Sequence, residues 1–104
     1  MGKGITVGHS AVIHACRVED NCLIGIGSVL LDGCHIRRDS LVAAGTIIPP
    51  GRKYPERSLI MGAPGIVKRQ LTPEEVERNR ESAQRYRRYW EAYKDKGIPV
   101  YNRK

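Results

Sequence analysis

The chain has 104 residues, a formal charge of +7, 40% hydrophobic and 28% charged residues, no Phe, one Trp, 11 Gly and 6 Pro. That length suits one domain and excludes two, and so small a domain buries only about two-thirds of the surface its unfolded chain exposes, so association between copies is expected. No apolar run reaches membrane-spanning length and residues 1–4 lack the apolar core of an export signal. A cytoplasmic protein with neither membrane nor nucleic acid as partner is therefore expected. The three cysteines, Cys16, Cys22 and Cys34, are an odd set without C-x-x-C, so neither a disulfide framework nor a zinc ribbon is indicated.

The first two-thirds of the chain repeats every six residues. A small side chain recurs at Ser10, Cys16, Cys22, Ser28, Cys34, Ser40, Thr46 and Ser58, with Arg52 breaking the column. Two positions on runs a second column, Val12, Val18, Ile24, Leu30, Ile36, Val42, Ile48, Tyr54 and Ile60, aliphatic except for Tyr54. Neither a 3.6-residue helix nor the alternation of strands has period six, whereas a hexapeptide β-solenoid does. The residue before each column aliphatic returns in kind every eighteen: Ile5, Leu23, Leu41 and Leu59; then Ala11, Val29 and Ile47; then Arg17, His35 and Lys53.

Three hexapeptides per coil make a triangular prism with two apolar outer faces and one basic, solvated face. Apolar outer faces need cover, so a head-to-tail cyclic homo-oligomer is expected, most simply a trimer, unless the chain's own helix covers one face. Ile13 and Val18 are five apart, so the register is expected to slip by one around Ala15 and Cys16. Pro49-Pro50-Gly51 and Gly62-Ala63-Pro64-Gly65 mark the last coil and its exit.

From Thr72 the period changes. Thr72-Pro73-Glu74-Glu75 is a capping box with Pro at the first helical position, and Gly97 is a stop, predicting a helix of about 23 residues, ~35 Å long. Val76, Asn79, Ala83, Tyr86, Trp90 and Tyr93 form its packing stripe, and Arg78, Arg80, Arg85, Arg87 and Arg88 a solvated charged face. The expected organisation is a mainly β chain: a parallel β-helix over 1–70, one long C-terminal α-helix over 71–97 on it or on a neighbouring subunit, and a tail over 98–104. About three and a third coils span only ~16–20 Å, so the helix should overhang. The first coil's backbone edge is expected to meet another molecule, as in a dimer of trimers or an exchange of helices.

The candidates for chemistry are His9 and His14; His35 belongs to the basic face and reads as a surface side chain. Five residues apart, His9 and His14 are awkward as ligands to one ion from one chain, but with a corner between them His9 of one subunit can meet His14 of the next around Zn²⁺ or another divalent metal. The cysteines read as compact inward fillers; Cys16 and Cys34 can stack on adjacent coils at a disulfide-compatible distance, with thiols expected in a reducing cytosol.

The run V-G-H-S-A-V-I-H-A-C at residues 7–16, with L-I-M-G-A-P-G at 59–65 and L-T-P-E-E at 71–75, resembles the C-terminal portion of the gamma-class carbonic anhydrase family and its relatives from phenylacetate and carnitine operons. The likeness runs from residue 5 to about residue 93. It implies a left-handed parallel β-helix, a trimer and zinc sites at subunit interfaces, with His9 and His14 as ligands from different subunits. It implies Zn²⁺, or Fe²⁺ or Co²⁺, and an ancestral reversible hydration of CO₂ by a lyase. Family members carry a further stretch ahead of the position of Ile5, with a third histidine and the arginine, aspartate and glutamine that organise the trimer and the metal's water. Two of three ligands lead to the expectation of an incompletely coordinated metal and weak or no turnover, unless a neighbour supplies the third. Two other classes stay open: a hexapeptide acyltransferase with a histidine base, against which no acceptor loop interrupts the repeats, and a non-catalytic assembly module.

Overall fold

The computed structural model describes residues 1–95, with side chains through residue 84. The chain winds through β1 (Thr6–Val7), β2 (Val12–Ile13), β3 (Arg17–Val18), β4 (Leu23–Ile24), β5 (Val29–Leu30), β6 (His35–Ile36), β7 (Leu41–Val42), β8 (Ile47–Ile48), β9 (Lys53–Tyr54) and β10 (Ser58–Met61). It then doubles back as β11 (Ile66–Gln70) and continues into α1 (Pro73–Asp95). Every third strand pairs in parallel, giving the stacks β1-β4-β7-β10, β2-β5-β8 and β3-β6-β9, with β11 antiparallel on β10. This is the expected three-sided solenoid of about three coils. Leu23, Leu41 and Leu59 stack in register, as do Val29 with Ile47 and Arg17 with His35 and Lys53.

The first coil departs from the eighteen-residue period in the way the spacing of Ile13 and Val18 foretells. Thr6 pairs with Leu23 and Val12 with Val29, seventeen residues apart, because the corner between β2 and β3 holds only residues 14–16. Two expected positions are corrected by that slip. Thr6 and Val12, not Ile5 and Ala11, face outward; Ile5, Ala11, Ile13 and Cys16 pack partly buried against the core. The small-residue column accordingly passes through Ala11, opposite Ser28, rather than through exposed Ser10.

Inside the prism, Ile24, Leu30, Ile36, Val42, Ile48 and Ile60 are fully buried. The small column does more than save space. A corner turns backbone carbonyls away from the ladder, and the inward hydroxyls and thiols donate to them. Ser28 Oγ donates to the Ala43 carbonyl at 3.0 Å, Ser58 Oγ to that of Pro55 at 2.6 Å and Cys22 Sγ to that of Arg37 at 3.2 Å. Where Arg52 breaks the column, the buried Tyr54 hydroxyl donates to the Gly65 carbonyl at 2.8 Å.

Each corner after β3 turns through one left-handed residue, at Gly27, Gly33, Gly45 and Gly51 but also at Asn21, Asp39 and Arg57, with φ between 56° and 78°. Only glycine adopts this conformation freely, and Asn and Asp tolerate it.

The helix lies over the face built by β1, β4, β7 and β10. Its capping box is made: Glu75 N–H donates to Thr72 Oγ1 at 3.2 Å and Thr72 N–H to Glu75 Oε1 at 2.9 Å. Arg69 grips the same carboxylate with two bonds of 2.8 Å, and this pairing above all holds the Glu75 pKa down to about 2. Val76 and Ala83 are 7% exposed, and the helix reaches β1. Arg80 corrects one expectation: instead of standing free in solvent it reaches the buried Asp39 carboxylate at 3.2 and 3.3 Å. The side chains of Arg85, Tyr86, Arg87, Arg88, Trp90 and Tyr93, and all of 96–104 with the expected stop at Gly97, lie outside the described residues.

At 23 residues α1 is ~35 Å long against ~14 Å between β1 and β10, so it overhangs as expected. The edge of the first coil is partly covered by the chain itself: Gly2 N–H donates to the Val18 carbonyl and Asn21 N–H to that of Lys3, both at 2.8 Å. Among the described residues no helix is long and apolar enough to cross a membrane.

Candidate metal centre

The three faces differ in cover. The β1 face lies under α1. The β3 face is basic, with Arg17 and Lys53 exposed and His35 half-buried. The β2 face is aliphatic and bare: Val12 and Ile47 are each 41% exposed on either side of half-buried Val29.

His9 and His14 frame this bare face. His9 lies in the corner that enters β2 and His14 in the corner that leaves it, so strand β2, not a corner, separates them. Both side chains are exposed while both backbones are tied to the second coil: Gly27 N–H donates to the His9 carbonyl and His14 N–H to that of Leu30, each at 2.9 Å. The His14 corner is the short one. It turns through Ala15 at φ 38°, a strained value for a residue with a Cβ, and Cys16 Sγ stands 2.7 Å from the His14 carbonyl. The five-residue spacing of Ile13 and Val18 points to this corner; the left-handed turn at Ala15 itself has no signal in a hexapeptide count.

Within one chain the two imidazoles are not brought to a common point, and the described residues contain no group of three His, Cys, Asp or Glu able to hold a metal ion. Neutral imidazole is a fitting donor for Zn²⁺, Fe²⁺ and Co²⁺, but two donors at opposite ends of a strand make half-sites only. The third histidine is not a free surface group. His35 Nε2 lies 2.6 Å from Glu19 Oε2, and this bond holds the Glu19 carboxyl below the usual carboxylate range. The pairing is invisible to a period of eighteen because the partners are sixteen apart. The cysteines are free thiols, with Cys22 and Cys34 buried and Cys16 half-buried.

Residues 15–50 match the family described as bacterial transferase hexapeptide (six repeats). The chain is 41% identical over 86 residues to the mitochondrial gamma carbonic anhydrase 2 of Arabidopsis thaliana, covering 83% of this chain and 31% of that protein. It is 40% identical over 86 residues to a probable carbonic anhydrase of Methanocaldococcus jannaschii, covering 83% of this chain and 54% of the relative. Among solved structures, a putative acetyltransferase of Bacillus cereus superposes with a TM-score of 0.86 at 30% identity, over 90% of this chain and 60% of that one. The chain thus spans between about a third and about half of the two curated relatives, 31% and 54% of their lengths.

Proposed function

Because residues 15–50 match the hexapeptide-repeat family and the chain is about 40% identical to gamma carbonic anhydrases over 86 residues, we propose that it is a metal-binding, self-associating solenoid whose metal sites form between copies, His9 from one and His14 from the next. The single observation that carries this reading is the bare aliphatic face with one exposed imidazole at each end. Buried against another copy, that face would lose its exposed Val12 and Ile47, and a head-to-tail ring of three is the simplest closure that brings unlike edges together.

Zn²⁺ is the first candidate, with Fe²⁺ or Co²⁺ in its place, and in such a ring His9 and His14 would hold it. A metal held by three protein ligands with one open position acidifies bound water enough to hydrate CO₂ near neutral pH. Two imidazoles fall short of that set, so the donors within these 104 residues support metal binding more strongly than turnover. The proposed compartment is the cytoplasm.

Mixing variants tests the sharing of ligands between copies. His9→Ala and His14→Ala should each abolish zinc binding near one ion per chain, and an equal mixture refolded together should regain about a quarter of it, because about one interface in four then pairs an intact His9 with an intact His14. A mixture that binds no zinc, or a chain that sediments as a monomer, overturns the reading. The transferase description of the matched repeats and the name of the Bacillus cereus structure favour acyl transfer as a second reading. A flat titration with coenzyme A removes it, and an intact assembly without metal or turnover leaves a structural module.

A further inference from the structure

Cys16 and Cys34 occupy equivalent points of successive coils, with their Sγ atoms 3.1 Å apart. The backbone clamps both. Arg17 N–H donates to the Cys34 carbonyl at 2.9 Å and Gly33 N–H to that of Ala15 at 3.0 Å. Strands paired in this way run ~4.8 Å apart, inside the ~4.4–6.8 Å Cα separation that a disulfide spans without backbone movement. Cys22 sits at another corner, with its thiol turned to the Arg37 carbonyl.

We propose that Cys16 and Cys34 form a redox site, a dithiol that a small-molecule disulfide converts into an intrachain disulfide joining the first coil to the second. Cys16 is half-buried and Cys34 only 1% exposed, so the oxidant meets Cys16 first. The Cys16 thiolate attacks one sulfur of the oxidant, whose S–S bond breaks and releases one thiol. Cys34 then gives its proton to solvent, attacks the Cys16 sulfur of the mixed disulfide and expels the second thiol. One S–S bond is lost and one gained; the oxidant is reduced to two thiols and the protein loses two hydrogens. Burial, with the neighbouring Cys16 thiol adding to it, pushes the Cys34 thiol up to about 12, which makes the second attack the slow step. Burial likewise pushes Cys22 up to about 11 and keeps it out of the exchange.

The bond would form against the corner that carries His14. In the reduced chain Cys16 Sγ is within hydrogen-bond distance of the His14 carbonyl at 2.7 Å and of the Leu31 carbonyl at 3.1 Å. A disulfide has no S–H to donate, so oxidation withdraws that support from the strained turn at Ala15. Metal held by His14 is thereby coupled to the redox state; this coupling rests on the proposed metal site, whereas the disulfide does not.

The test is to incubate the whole chain with oxidised glutathione, count thiols after denaturation and map the linked peptides. The three free thiols should fall to one, with Cys16 joined to Cys34. Cys22→Ser should leave the link intact, and Cys34→Ser should stop at a glutathione adduct on Cys16. Three persisting thiols, a link that includes Cys22, or links only between chains overturn the proposal. Zinc titrated into both forms reads the coupling: affinity about tenfold weaker after oxidation is expected, and equal affinity removes the coupling. Zinc that binds neither form sinks the metal reading while the thiol count still decides the disulfide.

Discussion

The first coil and the coils below it are built from one repeat and obey it unequally. In the later coils the corners from β3 to β9 each have four residues, the inward aliphatics are fully buried, and most left-handed positions hold glycine. The first coil is one residue short, turns through Ser10 and Ala15 at positive φ, and leaves Val7 37% exposed. The helix meets the two regions differently as well. Arg80 pairs with Asp39 at the corner before β7, whereas the Thr6 Oγ1 under the helix and Asn79 Nδ2 are buried without a hydrogen-bond partner. Stability resides in the regular coils. The candidate chemistry, with both exposed histidines and the Cys16 thiol, resides where the repeat is broken, as expected of a site that tolerates strain the scaffold elsewhere avoids.

The contrast can be broken at three points. Ile36→Ala empties a fully buried position between stacked coils and should cost about 2–5 kcal/mol, against about 1 kcal/mol or less for Val7→Ala in the first coil. Equal losses in chemical denaturation would mean that the coils unfold as equals. Arg80→Ala strands a carboxylate whose side chain is 6% exposed and should cost about 1–3 kcal/mol, toward the lower end because the Arg80 side chain is 46% exposed. Adding Asp39→Asn should recover part of that loss; a double variant no better than the single one would show the pair to be ornamental. Ala15→Gly relieves a left-handed alanine and should stabilise by about 0.5–1 kcal/mol, raising Tm by a few degrees. No gain there would mean that the short corner carries no strain worth relieving.

Most of this fold was legible because a solenoid writes its geometry into its period: Leu23, Leu41 and Leu59 align for the reason that eighteen residues make one coil. Even the slip at Ala15 was legible, as a missing residue. Its full effect on Ile5 and Ala11 was not carried through, since a count begun in the regular coils runs past the point where the register changes. Asp39 was missed because a carboxylate at a left-handed corner resembles any turn residue until a helix forty-one positions away supplies its partner. The histidines were legible as a pair but not as the two ends of a single strand, because that depends on which residues fold into corners.

The hairpin of β10 with β11 gives the molecule a direction. By reversing the chain beneath the last coil it occupies the ladder that a further parallel layer would need, while the Gly62–Gly65 turn and Tyr54 seal the adjacent floor. The stack is therefore terminated below, while above it the Gly2 and Lys3 backbone covers the edge beside β3. Any lengthening of this prism, whether by its own kind of repeat or by a borrowed strand, must be laid onto the histidine-bearing layer, and so the place where the structure can grow is also the place where it can be given work.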